Sequence, residues 1–234
     1  MSFLTRYQDD PATPSVGSAL KDLGLRAVAP GLVPFALVVG VGLLLKGPLK
    51  SFGTSEEAVN RSLADGRTPT WNTITMLLSH VGNTEYVIGI GVLVALLVWW
   101  RTRQWWYAIV PIVAISLQAT IFVIATAIVG RPRPHVTHLD PAPPTSSYPS
   151  GHQGASTALY FTFLLMATRI AHPVLRTVVM VLCGAAPFLV GYARLYRGMH
   201  YPTDVAMGAV NGILSAVLAW GYLRRDRSAA QTRA

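Results

Sequence analysis

Three short segments of the sequence, each typical of a turn, together hold four arginines and two histidines. They are GRPRP at 130–134, YPSGH at 148–152 and ARLYRGMHYPTD at 193–204. Arginine presents a fork of N–H donors that matches phosphate oxygens, and the free N–H groups at a helix N-terminus favour an anion. These segments together carry the residue types of a phosphate-binding site.

The histidines in these segments have spacings suited to phosphoryl transfer. His200 and Asp204 are four residues apart at the entrance to a predicted helix, so the carboxylate can face the imidazole and leave its other nitrogen free to attack phosphorus. His152 comes from a different loop, from which it can protonate the departing oxygen across the phosphate. We therefore predict His200 as nucleophile, Asp204 as its orienting group and His152 as general acid.

The three segments resemble the type-2 phosphatidic acid phosphatases, or lipid phosphate phosphatases, whose active-site architecture is shared with vanadium haloperoxidases. That family's pattern is Lys-x6-Arg-Pro, Pro-Ser-Gly-His and Ser-Arg-x5-His-x3-Asp. The second part matches in full at 149–152, the third at Arg194, His200 and Asp204, and the first at Arg133 and Pro134. The resemblance covers residues 71–223, and three spaced motifs in order are much more specific than any one alone.

The resemblance implies a metal-independent phosphatase without a cofactor, in which His200 forms a phosphohistidine that water cleaves. It implies that the phosphoryl oxygens are held by Arg133, Arg194, Ser150 and the Gly151 amide. The chain departs from the pattern at Thr126, where the family has lysine, and at Ala193, where it has serine. Arg131 is the candidate to replace the lysine's charge.

Two other readings of these residues stay open at the level of the sequence. One is a family member that binds phosphorylated lipid without cleaving it, which the loss of the lysine at Thr126 favours. The other is a zinc site built from the histidines and aspartates of these loops, namely His135, His138, Asp140, His152, His200 and Asp204. Four arginines in the same loops disfavour a cation there, so we predict no metal. We place His80 at the membrane interface.

The composition indicates a bilayer as the solvent for the elements that position these loops. Hydrophobic residues make up 52% of the 234-residue chain and charged residues 12%, against a usual charged fraction of about 25%. We predict an all-α, integral membrane bundle of six transmembrane helices, with a short amphipathic helix over 71–81 between the first two spans. The predicted spans are 27–45, 86–100, 105–129, 151–170, 174–191 and 203–223.

The polar parts of the chain suggest its domain organisation and orientation. We predict a disordered cytoplasmic tail over 1–26, one phosphatase domain over 27–223 and a basic cytoplasmic tail over 224–234. In this arrangement eleven of the 19 Lys and Arg residues fall on the side of the termini and eight on the other. The positive-inside rule then predicts a multi-pass plasma-membrane protein with cytoplasmic termini and an extracytoplasmic active site.

The predicted partners are the lipid bilayer and a phosphorylated membrane lipid. The net charge of +9 comes from short basic clusters beside apolar runs, which is typical of contact with lipid headgroups and not of nucleic-acid binding. Phosphatidate, phosphatidylglycerophosphate and polyprenyl pyrophosphates such as undecaprenyl pyrophosphate all place a phosphate at the interface. We favour phosphatidate or a polyprenyl pyrophosphate, and the sequence leaves the oligomeric state open.

Overall fold

The computed structural model describes residues 13–142 and 144–223, and all their side chains except those of residues 53 and 54. Every regular element in this part of the chain is a helix, as predicted. A five-residue π-helical turn, Gly24–Val28, separates the first two of the ten α-helices, and α6 is a single turn. The helices are α1 Val16–Leu23, α2 Leu32–Lys46, α3 Phe52–Asp65, α4 Pro69–His80, α5 Thr84–Thr102, α6 Trp105–Ala108, α7 Val110–Val129, α8 Gly151–Ala167, α9 Pro173–Tyr196 and α10 Pro202–Gly221.

Five of the described segments are long and apolar enough to cross a membrane. They are Val16–Lys46, Thr84–Thr102, Trp105–Val129, Pro173–Tyr196 and Pro202–Gly221, and each contains one of the predicted spans or most of it. The predicted span over 151–170 corresponds to α8, which has 17 residues and packs against α7, α9 and α10. Because its neighbours enclose it, α8 carries polar residues such as Gln153, Ser156 and Thr162 in a buried setting.

The N-terminal prediction of disorder is wrong for residues 16–26. Ser15 caps α1 by accepting a hydrogen bond from the Ser18 amide at 3.2 Å, and the helix continues through the π-helical turn into the first apolar segment. Serine at an N-cap satisfies a backbone N–H that the helix leaves without a partner. Residues 1–12, and the tail predicted over 224–234, lie outside the described residues.

Helices α3 and α4 lie next to the loops that carry the three motifs. No element is predicted over residues 46–70, but residues 52–65 form α3. The predicted amphipathic helix over 71–81 is confirmed as α4, where Thr68 caps the first turn and Pro69 occupies the first helical position. Helix α9 runs beyond its predicted end at 191 to Tyr196, so Arg194 is held on a helix instead of a loop.

Glycines allow α8 and α10 to approach closely below the site. A Cβ atom added to Gly212 would lie 2.5 Å from the Thr157 Cβ and 2.7 Å from the Gly154 carbonyl oxygen. Gly208 and Gly212 form the small-xxx-small spacing that permits close contact between membrane helices. This contact fixes the start of α8, where Gly151 and His152 lie, relative to the start of α10.

We expect Gly212→Ala to destabilise the protein by forcing these two helices apart. Overpacking of this kind costs about 1–3 kcal/mol, so the midpoint of thermal unfolding in detergent should fall by roughly 2–10 °C. Gly89→Ala on α5 is the matched control, because a Cβ there has no atom within 4 Å and alanine favours a helix. Equal unfolding midpoints for the two variants would contradict this account of the packing.

Candidate active site

A cavity of about 320 Å³ opens between the motif loops and the α4–α5 turn. It lies at the low end of the volumes usual for ligand pockets, so it suits a polar headgroup better than a whole lipid. His200, His152, Arg133, Arg194 and Gly151 all line it, so the structure brings these five sequence-predicted residues together. The rest of the wall is formed by Ser79, His80, Asn83, Phe122, Asp140, Pro141, Thr145, Ser146 and Pro149.

His200 is buried in the turn between α9 and α10, with one imidazole nitrogen fixed by the backbone. Its Nδ1 lies 2.7 Å from the Ser147 carbonyl oxygen. Because a carbonyl can only accept, Nδ1 carries the proton and Nε2 keeps its lone pair. Gly198, at φ +75°, supplies the left-handed backbone that this tight turn requires. The imidazole is therefore held in the tautomer that a nucleophile needs.

Asp204 does not form the hydrogen bond to His200 that the spacing suggested. Its Oδ2 lies 3.9 Å from His200 Nδ1, beyond hydrogen-bonding distance, and instead accepts the Tyr201 amide at 2.9 Å. The other oxygen, Oδ1, accepts from Arg131 Nη1 at 2.7 Å. As the third residue of α10, Asp204 is placed to cap the start of the helix. Its carboxylate bonds to the helix backbone instead of the imidazole four residues earlier.

Arg131 and Ser150, both predicted to bind the phosphate, do not line the cavity. Arg131 is buried and forms salt bridges of 2.7 Å with Glu56 and Asp204, so its charge is neutralised away from the substrate site. Ser150 is fully buried as the N-cap of α8, where its hydroxyl oxygen accepts from the Gln153 amide at 3.4 Å. Arg131 therefore does not replace the lysine that is missing at Thr126.

Two arginines supply the cavity's positive charge. Arg133 donates from Nη1 to the Met199 carbonyl at 2.8 Å, and Arg194 donates from Nη1 to Ser79 Oγ at 2.8 Å. Among the described residues, the buried Nε atoms of both arginines have no hydrogen-bond partner. Both arginines line the cavity, and two cations at one wall favour an anionic ligand there.

Asp140 is a site residue that the sequence indicated as a loop residue and, in one disfavoured reading, as a zinc ligand. Its Oδ2 accepts from Arg194 Nη1 at 2.7 Å and its Oδ1 from Arg197 Nη2 at 2.6 Å. Burial alone would raise the pKa of this carboxyl, but Arg197 and Arg194 hold the pKa below its ordinary value. Asp140 is thus a fixed anion that orients Arg194 at the cavity wall, with both oxygens engaged by guanidinium groups.

Helix α4 carries polar residues toward the site at helical spacing. Arg197 donates to the Asn72 carbonyl at 2.9 Å and to Thr75 Oγ1 at 3.3 Å, and Ser79 accepts from Arg194. Past the end of α4, Asn83 Oδ1 lies 2.9 Å from His152 Nε2 and fixes that imidazole. Within α4 the spacing 72, 75, 79 is the sequence signal for this face, since these polar residues recur at helical intervals. His80, for which only an interfacial position was predicted, also lines the cavity.

The burial of His200 leads to a prediction about pH and stability. Burial, followed by the nearby Arg194 and Arg133, lowers the pKa of His200 well below its ordinary value of 6.5. In the unfolded chain His200 binds a proton below pH 6.5, whereas in the fold it stays neutral. Stability should therefore fall as the pH drops through 6.5, by about 1.4 kcal/mol per pH unit from this residue.

His200→Gln should lack this dependence, because glutamine does not titrate. We expect thermal unfolding in detergent between pH 7 and pH 5 to show a steeper loss of stability for the natural chain than for His200→Gln. Other groups near the imidazole, including His152 and Asp204, titrate in both chains. Parallel pH profiles for the two proteins would show that the fold does not hold His200 neutral.

Comparisons with known proteins find a family profile and a curated relative that match this sequence. A sequence profile described as the PAP2 superfamily matches residues 107–228. Phosphatidylglycerophosphatase B of Bacillus subtilis (strain 168) is 22% identical over 171 residues, which cover 72% of this chain and 83% of that protein.

Two solved structures share the fold. The crystal structure of a transmembrane PAP2-type phosphatidylglycerolphosphate phosphatase from Bacillus subtilis superposes with a TM-score of 0.70 at 20% identity, covering 85% of this chain and 96% of that chain. The crystal structure of Aquifex aeolicus LpxE gives a TM-score of 0.56 at 21% identity, covering 70% of this chain and 93% of that one. At these identities the structural similarity shows a shared fold and does not identify the substrate.

Proposed function

The chain belongs to the PAP2 superfamily, and from that premise we propose that it is a membrane phosphatase that removes phosphate from a lipid phosphomonoester or pyrophosphate through a phosphohistidine at His200. The observation that carries this proposal is the imidazole of His200. Its Nδ1 is fixed by the Ser147 carbonyl, and its ring lines the cavity together with Arg133 and Arg194. A site that only bound phosphate would not need a nucleophile held in one tautomer.

In the proposed reaction, Nε2 of neutral His200 attacks phosphorus and the bond from phosphorus to the lipid oxygen breaks. The phosphate dianion favours the doubly protonated form of His152, which then gives a proton to the departing oxygen. Water next attacks the phosphohistidine, passes a proton to His152 and releases phosphate as the N–P bond breaks. Arg133, Arg194 and the first-turn N–H groups of α8 stabilise the phosphoryl oxygens throughout, without a metal.

The cavity suggests how the substrate lies. Its volume of about 320 Å³ accommodates a phosphate and part of a headgroup, so the acyl or prenyl chains must stay in the bilayer. The headgroup side is polar, with Ser79, His80 and Asn83, whereas Phe122 of α7 forms an apolar part of the wall. We propose phosphatidate or a polyprenyl pyrophosphate as substrates. Phosphatidylglycerophosphate joins them because both the curated match and one solved structure, each from Bacillus subtilis, are named for it.

A second candidate is a protein that binds phosphorylated lipid without cleaving it. Two observations favour it: Thr126 stands where the family has lysine, and the Asp140 carboxylate lies at the wall of a cavity meant for an anion. Thr126 Oγ1 lies 3.4 Å from the Tyr148 carbonyl and supplies no charge to the site. Both features reduce the positive charge available to stabilise the transition state of phosphoryl transfer, so the two candidates differ in turnover more than in architecture.

The test is phosphate release by the purified, detergent-solubilised protein from phosphatidate, phosphatidylglycerophosphate and undecaprenyl pyrophosphate, each with EDTA present. The proposal expects at least one substrate to be hydrolysed in EDTA. Binding of a lipid without release of phosphate would favour the second candidate, and Thr126→Lys is then the variant expected to gain activity. Activity that EDTA abolishes would refute the metal-independent mechanism.

We also propose that the site faces the outside of the cell, with both termini in the cytoplasm. Thr137 lies in the motif loops, and the natural Cys183 lies in α9. In a Cys183→Ala background, Thr137→Cys should react with a membrane-impermeant thiol reagent added to intact cells. Labelling only after the cells are opened would place the site on the cytoplasmic side.

A further inference from the structure

Helix α3 presents two buried polar side chains to the loops around His200. Glu56 is 3% exposed and Asn60 is fully buried, one helical turn further along. Asn60 donates from Nδ2 to the His200 carbonyl at 3.0 Å, across 140 residues of sequence. Neither residue lines the cavity, and the proposed mechanism uses neither.

Glu56 makes three hydrogen bonds, all of which hold residues close to His200. Its Oε1 accepts the Thr203 amide at 2.7 Å, and its Oε2 accepts the Thr203 hydroxyl at 2.9 Å and Arg131 Nη2 at 2.7 Å. Because Thr203 is the second residue of α10, the carboxylate caps that helix from a distant part of the chain. The start of α10 is therefore fixed by α3.

Arg131 carries this constraint on to Asp204. Its Nη1 donates to Asp204 Oδ1 at 2.7 Å and to the Thr203 hydroxyl at 2.8 Å, and its guanidinium lies 4.1 Å over the Tyr201 ring. Burial alone would lower the pKa of Arg131, but Asp204 and Glu56 raise it, so the cation stays charged. The two carboxylates, one on α3 and one on α10, together fix the orientation of the Arg131 guanidinium.

The arrangement also sets the charge behind the nucleophile. Glu56, Arg131 and Asp204 carry one positive and two negative charges, and the nearer carboxylate lies 3.9 Å from His200 Nδ1. Phosphorylation at Nε2 makes the imidazole ring cationic. A net negative group at this distance stabilises that cation more than the neutral ring.

We propose that Glu56 is a positioning residue for His200, which acts through Arg131, Thr203 and Asp204 to hold the nucleophile and to favour its phosphorylated form. The inference rests on the proposed function, since it concerns the same phosphohistidine. It assigns a role to the segment between the first two predicted spans. The residue acts on the turnover step and does not contact the phosphoryl group.

The test compares Glu56→Gln with Asp65→Asn, which removes the same charge from an exposed position of α3. With a lipid that the natural chain hydrolyses, Glu56→Gln should lower kcat by about 10- to 100-fold, as loss of an orienting partner commonly does, and change KM by less than about threefold. Asp65→Asn should match the natural chain in both constants. An unchanged kcat in Glu56→Gln would overturn the proposal.

A second measurement is independent of the lipid substrate. Orthovanadate forms a five-coordinate adduct with a well-placed nucleophile, whereas inorganic phosphate needs only the arginines. In thermal unfolding, Glu56→Gln should lose most of the stabilisation by vanadate and keep that by phosphate. Equal losses for both anions would indicate general damage to the site and overturn the positioning role.

Two further outcomes keep the inference separate from the proposed function. If Glu56→Gln does not fold, Glu56→Gln/Arg131→Met also removes the cation that has lost one of its two carboxylate partners. The link from α3 to Asp204 stays broken in this variant, so the same loss of kcat is expected in it. A natural chain that neither releases phosphate nor responds to vanadate would refute the proposed function, and the inference with it. If vanadate raises the unfolding temperature of the natural chain and of Glu56→Gln equally, the inference alone is refuted.

Discussion

Replacing His200 with alanine should abolish phosphate release, with kcat/KM lowered by at least about 10⁴-fold. The imidazole is the group that forms the new bond to phosphorus, and removal of a nucleophile leaves only the rate that binding and charge stabilisation supply. The residual arginines and the start of α8 should still bind the anion. Phosphate release from the lipid that the natural chain hydrolyses best is the measurement. Phosphoenzyme trapped by an alkaline, denaturing quench is a second readout, because the N–P bond of a phosphohistidine survives alkali and breaks in acid.

The control for this substitution is His135→Ala. The His135 side chain is 79% exposed on the same loop system and does not line the cavity, so activity should stay within about twofold of the natural chain. A stable phosphoenzyme in the natural chain that disappears in His200→Ala would identify the nucleophile. Substantial activity in His200→Ala would mean that water, or another residue, attacks phosphorus directly.

The second large effect should come from His152→Ala, and it should depend on the leaving group. Loss of a general acid costs about 10²- to 10⁴-fold when the departing oxygen is an alkoxide, as in phosphatidate. With p-nitrophenyl phosphate the phenolate leaves without a proton, so the same variant should lose less than about tenfold in kcat/KM. This constant reports the formation of the phosphoenzyme and not the later attack of water, which His152 also assists. His152 Nε2 is held at 2.9 Å by Asn83, which places the imidazole but does not replace its proton.

The comparison with His200→Ala makes this test specific. That variant should lose activity on both substrates, because both require the nucleophile. If His152→Ala loses equally on the lipid and on p-nitrophenyl phosphate, His152 contributes by binding the phosphoryl group and not by protonation. The ratio of the two losses therefore separates the roles, whatever the absolute rates are.

The motif residues could be found from the sequence because, within each of the three segments, they lie only a few residues apart at a characteristic spacing. Arg133, His152, Arg194 and His200 all meet in the cavity, as the three segments predicted. The side-chain partners could not be predicted in the same way. A spacing of four residues allows Asp204 to face His200, but the N-terminus of α10 and the buried Arg131 provide stronger partners for that carboxylate.

The contributions of α3 and α4 were beyond the reach of sequence for a different reason. Asn60 and His200 are 140 residues apart, and Ser79 and Arg194 are 115 apart, so no local pattern connects them. The length and hydropathy that revealed the spans do not apply to α3, whose apolar residues are few. The position of α3 depends on contacts with loops that are distant from it in the sequence.

The order in which the ribosome makes these parts has a consequence for biogenesis. Helices α3 and α4 are synthesised early, whereas the groups they hold, from Arg131 to Asp204, emerge much later. Until α10 is synthesised, Glu56 has Arg131 alone of its two partner residues, and a nascent chain that stops before Pro202 lacks Thr203 and Asp204. Catalytic competence should therefore appear late and abruptly during synthesis, after the last helix has been inserted.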